Sequence, residues 1–351
     1  MVEIKGNKWF KSLMDLDGAV DKSLDPYRDE NIIRSSSPSL SWIFANKGFG
    51  PPRNSSVLAY GLAKGGKSLT ANMFIQEELR VNPDAMAITF NTEIRGALQT
   101  GSLFSIDPAR HITFDLNDPV GIFDKIEKEI IPMVDEGMKL SIIVIDSLNG
   151  IRGTKSLNSD SVDNHLIGDE ALTLKAGLKR IIPLLKKRNI LFFCTAHMTA
   201  NIGAMGHAPK NKAGISYYTR HSFEYFVEVS RDGSADGKVD ILGNKFEGDT
   251  KDMKDNKQIT GHRIFVKMDE NSLGTSKRTG EFTIDYKKGP INTEDEIVEI
   301  SINTKIVERP NNRTYTFEEF KFTSKEEFVL AVRGSKELQV RLIDKIRAKD
   351  A

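Results

Sequence analysis

The sequence predicts an α/β fold built on a mostly parallel sheet. Three observations predict it. From Ser55 to about Tyr286, apolar runs alternate with helical patterns. Leu140 to Ile145 and Ile190 to Ala196 are nearly unbroken apolar runs, the pattern of strands covered on both faces. Residues 61 to 68 read Gly61-Leu62-Ala63-Lys64-Gly65-Gly66-Lys67-Ser68, a complete G-x-x-x-x-G-K-S phosphate loop between an apolar run and a helical pattern.

Each element follows from its own spacing. Val57-Leu58-Ala59-Tyr60 is the strand that enters the phosphate loop, and Ala71, Ile75 and Leu79 share one face of the helix that leaves it. Met86, Ile88 and Phe90 alternate as a strand does. Asn117-Asp118-Pro119 starts a helix with a cap and a first-turn proline, and Ile122, Ile126 and Ile130 then fall four apart. Leu174, Leu178, Ile181 and Leu185 mark the next helix. After Phe223 the character changes. Phe223–Val229, Arg263–Met268 and Glu281–Tyr286 read as strands without long helices between them, and the polar stretch from Arg231 to His262 reads as a solvated excursion. Beyond Gly289-Pro290, the helical patterns Lys325–Val332 and Lys336–Ile346 suffice for a small appended domain. At the other end, Trp9, Phe10, Leu13 and Met14 form an amphipathic stretch. It reads either as a helix on its own domain or as an arm that docks on a neighbouring subunit.

Composition narrows the class. An apolar fraction of 39% and a charged fraction of 28% are those of a soluble globular protein. Formal net charge is +1, so any site for a polyanion is a local patch. The single Cys194 forms no internal disulfide and sits in an apolar run, as a small buried hydrophobe does. No apolar stretch is long enough to span a bilayer, and Met1–Lys11 lacks the apolar segment of a signal peptide, so the expected compartment is cytoplasmic.

The phosphate loop carries the most direct chemistry. Glycines let backbone N–H groups close on phosphate oxygens, Lys67 reaches the β/γ-phosphates, and the Ser68 hydroxyl is placed for Mg²⁺. Asp146 ends the strand Ile142–Ile145, where a carboxylate stands beside Mg²⁺ or caps the next segment. Glu93 follows the strand Met86–Phe90. A strand adjacent to the phosphate loop would put it near the γ-phosphate as a general base; an exposed loop glutamate is the alternative. His197 follows the buried strand ending at Ala196 and would touch the γ-phosphate, unless it is an ordinary polar residue. Met198–Ser222 contains no Asp or Glu and carries Lys210, Lys212, Arg220, Tyr217 and Tyr218; Gly150–His165 carries Arg152 and Lys155. Cationic loops with aromatics suit a nucleic-acid backbone, although charge runs are also ordinary solvated loops.

The order of these parts resembles the RecA family of DNA strand-exchange ATPases, closest to its phage UvsX-type branch. The resemblance runs from about Asn31 to the end. It includes Asn31-Ile32-Ile33-Arg34 with Ser39–Ile43, Asn82-Pro83-Asp84-Ala85, Ser105–Arg110, the spacing from Glu93 to Asp107, and Lys64 inside the phosphate loop. It implies a RecA-like core with a mostly parallel twisted sheet at 35–290, an N-terminal docking arm at 1–34 and a small C-terminal α+β domain at 291–351. It implies ATP on Gly61 to Leu69, Mg²⁺ at Ser68 and Asp146, and catalysis by Glu93 and Lys67 with His197 as the coupling residue. DNA-binding loops are implied at 150–165 (Arg152, Lys155) and 198–222 (Lys210, Lys212, Arg220). The implied partners are single-stranded DNA, homologous duplex DNA, further copies of the chain in a helical filament, a single-stranded-DNA-binding protein and a recombination mediator.

Two positions depart from the family pattern. Thr100 stands where the family stacks a tyrosine on adenine. Glu270-Asn271-Ser272 stands where basic residues reach ATP in the neighbouring subunit, and the nearest cations are Lys277 and Arg278. The competing readings are a regulatory RecA-like ATP-binding protein without strand exchange and a ring-forming helicase-like ATPase.

Overall fold

The computed structural model describes residues 29–44, 49–94, 103–154, 168–200, 211–234, 237–240, 259–272, 274, 276–311 and 313–350. The amphipathic stretch at Trp9–Met14, Thr100, Lys155 and Lys210 lie outside the described residues, as do most of 150–165 and the middle of 198–222.

Thirteen strands are described: β1 (Ser56–Gly61), β2 (Met86–Asn91), β3 (His111–Asp115), β4 (Leu140–Asp146), β5 (Leu191–Ala200), β6 (Asn211–Ala213), β7 (Tyr225–Arg231), β8 (Lys238–Val239), β9 (Gly261–Asn271), β10 (Thr279–Asp285), β11 (Gly289–Ile291), β12 (Tyr315–Phe317) and β13 (Phe320–Phe322). The main sheet runs β3-β2-β4-β5-β1-β7-β9-β10-β11. The six strands from β3 to β7 are parallel; β9, β10 and β11 then alternate in direction. The expected α/β class and mostly parallel sheet are therefore observed. β10 points the same way as β7, so its carboxyl end shares an edge with those of the parallel strands.

The sheet is buried on both faces because alternate residues feed two separate cores. Val57, Ala59, Val144 and Phe193 pack with Ala71, Phe74 and Ile75 of the helix Lys67–Val81. Leu58, Ile143, Ile145 and Cys194 pack on the other face with Ile122 and Ile126, and with Leu174, Leu178, Ile181 and Leu185 of the helix Asp169–Lys187. Asp118 caps its helix as the sequence suggests, accepting from the N–H groups of Val120 and Gly121. Glycine inside Asp169–Lys187 has a packing reason: a Cβ on Gly177 would lie 2.2 Å from the Phe123 ring.

The chain enters this core early. Ile32 and Ile33 are buried, and Ile33 belongs to the first core. A third core lies near the C-terminus, where Val298, Phe317, Phe322, Phe328, Val332 and Leu342 pack together. They come from the helices Thr293–Asn303, Lys325–Gly334 and Lys336–Asp350 and from the β12–β13 hairpin. Glu296 joins this unit to the sheet. Its Oε2 accepts from the Ser37 hydroxyl at 2.5 Å and the Ser39 N–H at 2.8 Å, at the start of the helix Pro38–Trp42. Burial pushes the Glu296 carboxyl up to about 8.

Three features differ from the sequence expectation. The sequence expectation names no strand at 111–115, where β3 forms a mostly exposed sheet edge although His111-Ile112-Thr113-Phe114-Asp115 alternates polar and apolar residues. The segment expected as a cationic loop holds regular structure on both sides of residues 201–210. Met198–Ala200 continue β5 and pair with β6, and Ser216 caps the short helix Tyr217–Arg220. Finally, β2 is not adjacent to the phosphate-loop strand: β5 and β4 stand between it and β1.

Candidate functional site

A cleft of about 440 Å³ opens at the carboxyl edge of the sheet. Such an edge is where open α/β sheets bind ligands. Ala63 to Leu69 form one wall, and Glu93, Asp146, His197, Arg231 and Tyr286 complete the lining. Of the phosphate-loop residues predicted to hold nucleotide, Gly61 and Leu62 are not part of this lining.

The loop is shaped by close backbone approach. A Cβ on Gly61 would lie 2.0 Å from the Val229 carbonyl oxygen, so only glycine fits there. Gly66 has φ 103 and sits against the Ile264 side chain. It opens the helix Lys67–Val81 with no side-chain cap, leaving first-turn N–H groups for an anion. Lys64 also takes a left-handed conformation, with φ 60. The Lys67 ammonium donates to the Leu62 carbonyl at 2.8 Å and the Gly61 carbonyl at 3.1 Å. Burial lowers its pKa, while Asp146 and Glu93 oppose that shift.

The far wall is a hydrogen-bonded assembly. Glu93 Oε1 accepts from the Ser147 hydroxyl at 2.9 Å and meets His197 Nε2 at 2.5 Å. The Asp146 carboxylate accepts from the buried Thr195 hydroxyl. The peptide joining Asp146 to Ser147 is cis. Thr92 ties the ends of β2 and β4 together: its hydroxyl donates to the Ser147 carbonyl at 2.6 Å and accepts from the Ser147 N–H at 2.9 Å. Glu93 thus reaches the cleft through the turn after β2, despite the two intervening strands.

The same assembly continues into both cationic segments. The His197 N–H donates to Asn149 Oδ1 at 2.7 Å, and the His197 carbonyl accepts from the Gly214 N–H at 2.7 Å. Asn149 Nδ2 in turn donates to the Gly214 carbonyl at 2.7 Å. Asn149 precedes Arg152, and Gly214 follows Lys212; both cations are exposed. Arg220 is placed differently. Its guanidinium is engaged by Glu270, lies 3.7 Å from Asp269 and covers the Phe226 ring. Arg278 lies over the Trp42 ring, at the start of β10 and at the opposite edge from the cleft.

The sequence reading missed three residues here. Arg231 and Tyr286 end or follow strands at the same edge, the signal that had marked Asp146 and His197. Asn149 left no signal, since a lone loop asparagine has many roles.

The residues present fit a nucleoside triphosphate with Mg²⁺. Ser68 and Asp146 line one cleft, and Mg²⁺ usually takes one or two protein oxygens beside phosphates and water. Among the described residues, no three His, Cys, Asp or Glu side chains cluster as a metal cage. No helix among them is long and apolar enough to cross a membrane.

No family model matches the chain. Curated relatives do. It is 24% identical over 181 residues to Protein RecA of Colwellia psychrerythraea, covering 52% of this chain and 46% of that protein. It is 22% identical over 209 residues to Protein RecA of Dichelobacter nodosus, covering 59% and 53%. It is 21% identical over 222 residues to Protein RecA of Legionella pneumophila, covering 63% and 58%. The chain thus spans about half the length of these curated relatives. With the large, mostly parallel sheet flanked by helices, these distant similarities support a RecA-like core and a relationship to the RecA family.

Proposed function

We propose that this chain is an ATP-dependent DNA strand-exchange recombinase of the phage UvsX type, forming helical filaments on single-stranded DNA. One observation carries the reading. Glu93 meets His197 in the nucleotide cleft, and the main chain of His197 holds Asn149 and Gly214, the roots of both cationic segments.

The residues divide the work. Backbone N–H groups of Gly65 to Leu69 and the Lys67 ammonium bind phosphates, with Gly61 to Lys64 shaping the loop. Ser68 and Asp146 would hold Mg²⁺, which neutralises developing phosphate charge when bound. Glu93 takes the proton of the attacking water. His197 passes the change at Glu93 to Asn149 and Gly214. Arg152 and Lys212, with Lys155 and Lys210, contact the DNA backbone. Arg220 joins them by exchanging Glu270 for a phosphate. Tyr286, on the same side of β1 as Arg231, faces the base.

The division is an arm at 1–34 that docks on the next protomer, with Ile33 at its end packed into this chain's own core, an ATPase core at 35–290 and a small terminal domain at 291–351. Homologous duplex DNA, a single-stranded-DNA-binding protein and a recombination mediator complete the set of partners, in the cytoplasm of a host cell. Turnover of ATP with and without single-stranded DNA tests this reading. Stimulation by DNA, with helical filaments in negative-stain micrographs, is the expected result. No stimulation and no DNA binding at low salt would overturn it.

One observation favours a second reading. Glu270 occupies Arg220, so the stretch where the family carries cross-subunit cations is neutralised here. A regulatory ATP-binding protein would then hydrolyse slowly, without dependence on DNA. Formation of a joint between a single strand and a homologous duplex rules that out.

A further inference from the structure

The nucleotide cleft has two sides, set by strand order. Glu93, Asp146 and His197 come from strands on one side of β1. Arg231 and Tyr286 come from β7 and the turn after β10, on the other.

Arg231 stands next to the phosphate loop for a structural reason. Val229, two residues earlier on β7, places its carbonyl oxygen against Gly61 and Gly65; a Cβ on Gly65 would lie 3.2 Å from it. Ile264, paired with Arg231 across the ladder, packs against Gly66. Arg231 therefore emerges beside the first-turn N–H groups of the helix Lys67–Val81. On its other side, His262 packs against Tyr286 with ring centroids 5.6 Å apart and the rings tilted by 48°. Burial, Arg231 and Lys238 together push the His262 imidazole down to about 4, so it stays neutral and adds no competing cation.

Among the described residues, the neighbouring carboxylates are engaged elsewhere. Its neighbour Asp232 is bound by Arg263 at 2.9 Å, and Arg263 also lies 3.7 Å from Glu281. Across the cleft Glu93 is held by Ser147 and His197, and Asp146 by Thr195. Among the described residues Arg231 makes no side-chain hydrogen bond or ion pair. An exposed guanidinium beside a phosphate loop presents a planar fork suited to two phosphate oxygens.

Resting on the nucleotide reading above, we propose that Arg231 binds the α- and β-phosphates of the nucleotide from within the same subunit. It lies between the loop that grips the phosphates and the tyrosine that faces the base. The groups assigned to the γ-phosphate, Glu93 and His197, occupy the opposite side. The contact is therefore common to ATP and ADP.

Fluorescent ATP and ADP analogues titrated with Mg²⁺ into the full chain test this. Arg231→Ala is expected to weaken both by about tenfold, with their ratio unchanged, for loss of one charge-assisted contact. Arg231→Lys should fall between, keeping the charge and losing the fork. Unchanged affinity for both nucleotides overturns the proposal, and so does a loss confined to ATP. Melting curves without nucleotide report whether Arg231→Ala folds normally; if it does not, Arg231→Lys and Arg231→Gln carry the comparison. Wild-type protein that binds neither analogue removes the nucleotide reading itself, whereas wild-type binding with an indifferent Arg231→Ala removes this proposal alone.

Discussion

His197 Nε2 lies 2.5 Å from Glu93 Oε1, and the backbone of the same histidine is bonded to Asn149 and Gly214. The side chain of one residue thus reads the nucleotide cleft while its peptide groups hold the loop roots. Glu93→Gln should keep nucleotide affinity and lose turnover by about 10²–10⁴-fold, the usual range for a general base. Single-turnover kinetics measure this, and retained turnover removes Glu93 from the base role.

His197→Ala should separate the two functions. Basal hydrolysis should survive in part, and the response to single-stranded DNA should disappear. Turnover measured across a DNA titration decides it. A full response in the variant means the signal bypasses His197.

Lys67→Ala should abolish ATP turnover and leave the fold intact, because the ammonium bonds only to loop carbonyls among the described residues. Circular dichroism checks the fold and phosphate release checks the activity. Turnover at the wild-type rate would remove the phosphate-loop assignment.

Thr92→Val should lower both stability and turnover. The Thr92 hydroxyl serves the N–H and the carbonyl of Ser147; its loss leaves the buried Ser147 N–H unpaired at about 1–3 kcal/mol, while the carbonyl keeps the Gly150 N–H at 3.1 Å. Thr92→Ser should restore both properties. Denaturant titration with a KM-against-kcat comparison would show whether Glu93 and Asp146 have drifted; a neutral Thr92→Val result would mean other contacts hold them.

Lys212→Ala and Arg152→Ala should each weaken single-stranded DNA binding and flatten its salt dependence by about one phosphate contact. Fluorescence anisotropy from low to moderate salt measures the slope. An unchanged slope places these cations in solvent.

Glu296 makes stability depend on pH in a direction opposite to most carboxylates. Its carboxyl is raised from 4.5 to about 8 by burial, so the folded state holds an extra proton between those values. The stabilisation is complete below pH 4.5 and is lost as pH rises towards 8. Glu296→Gln should remove this slope while keeping the acceptor for Ser37 and Ser39. Denaturation at pH 5 and pH 9 tests it; parallel behaviour of variant and wild type would discount the group.

Local chemistry was legible in the sequence and strand order was not. Gly61–Ser68 declares itself because its residues are contiguous. Leu140–Asp146 does so because burial on both faces forces an unbroken apolar run. Glu93 was placed beside the phosphate loop by proximity in sequence, yet it arrives from the third strand away through Thr92 and Ser147. Arg231 and Tyr286 were passed over because their place in the cleft depends on β7 neighbouring β1 and on β9 reversing the chain before β10. β3 was passed over although Ile112 and Phe114 alternate with polar residues, because five residues on an exposed edge make a short signal.

The two cationic segments share one residue as their anchor: His197 gives its N–H towards one and its carbonyl towards the other. Displacing either root alone strains the bonds at His197. A pull on either root is passed through His197 to the other.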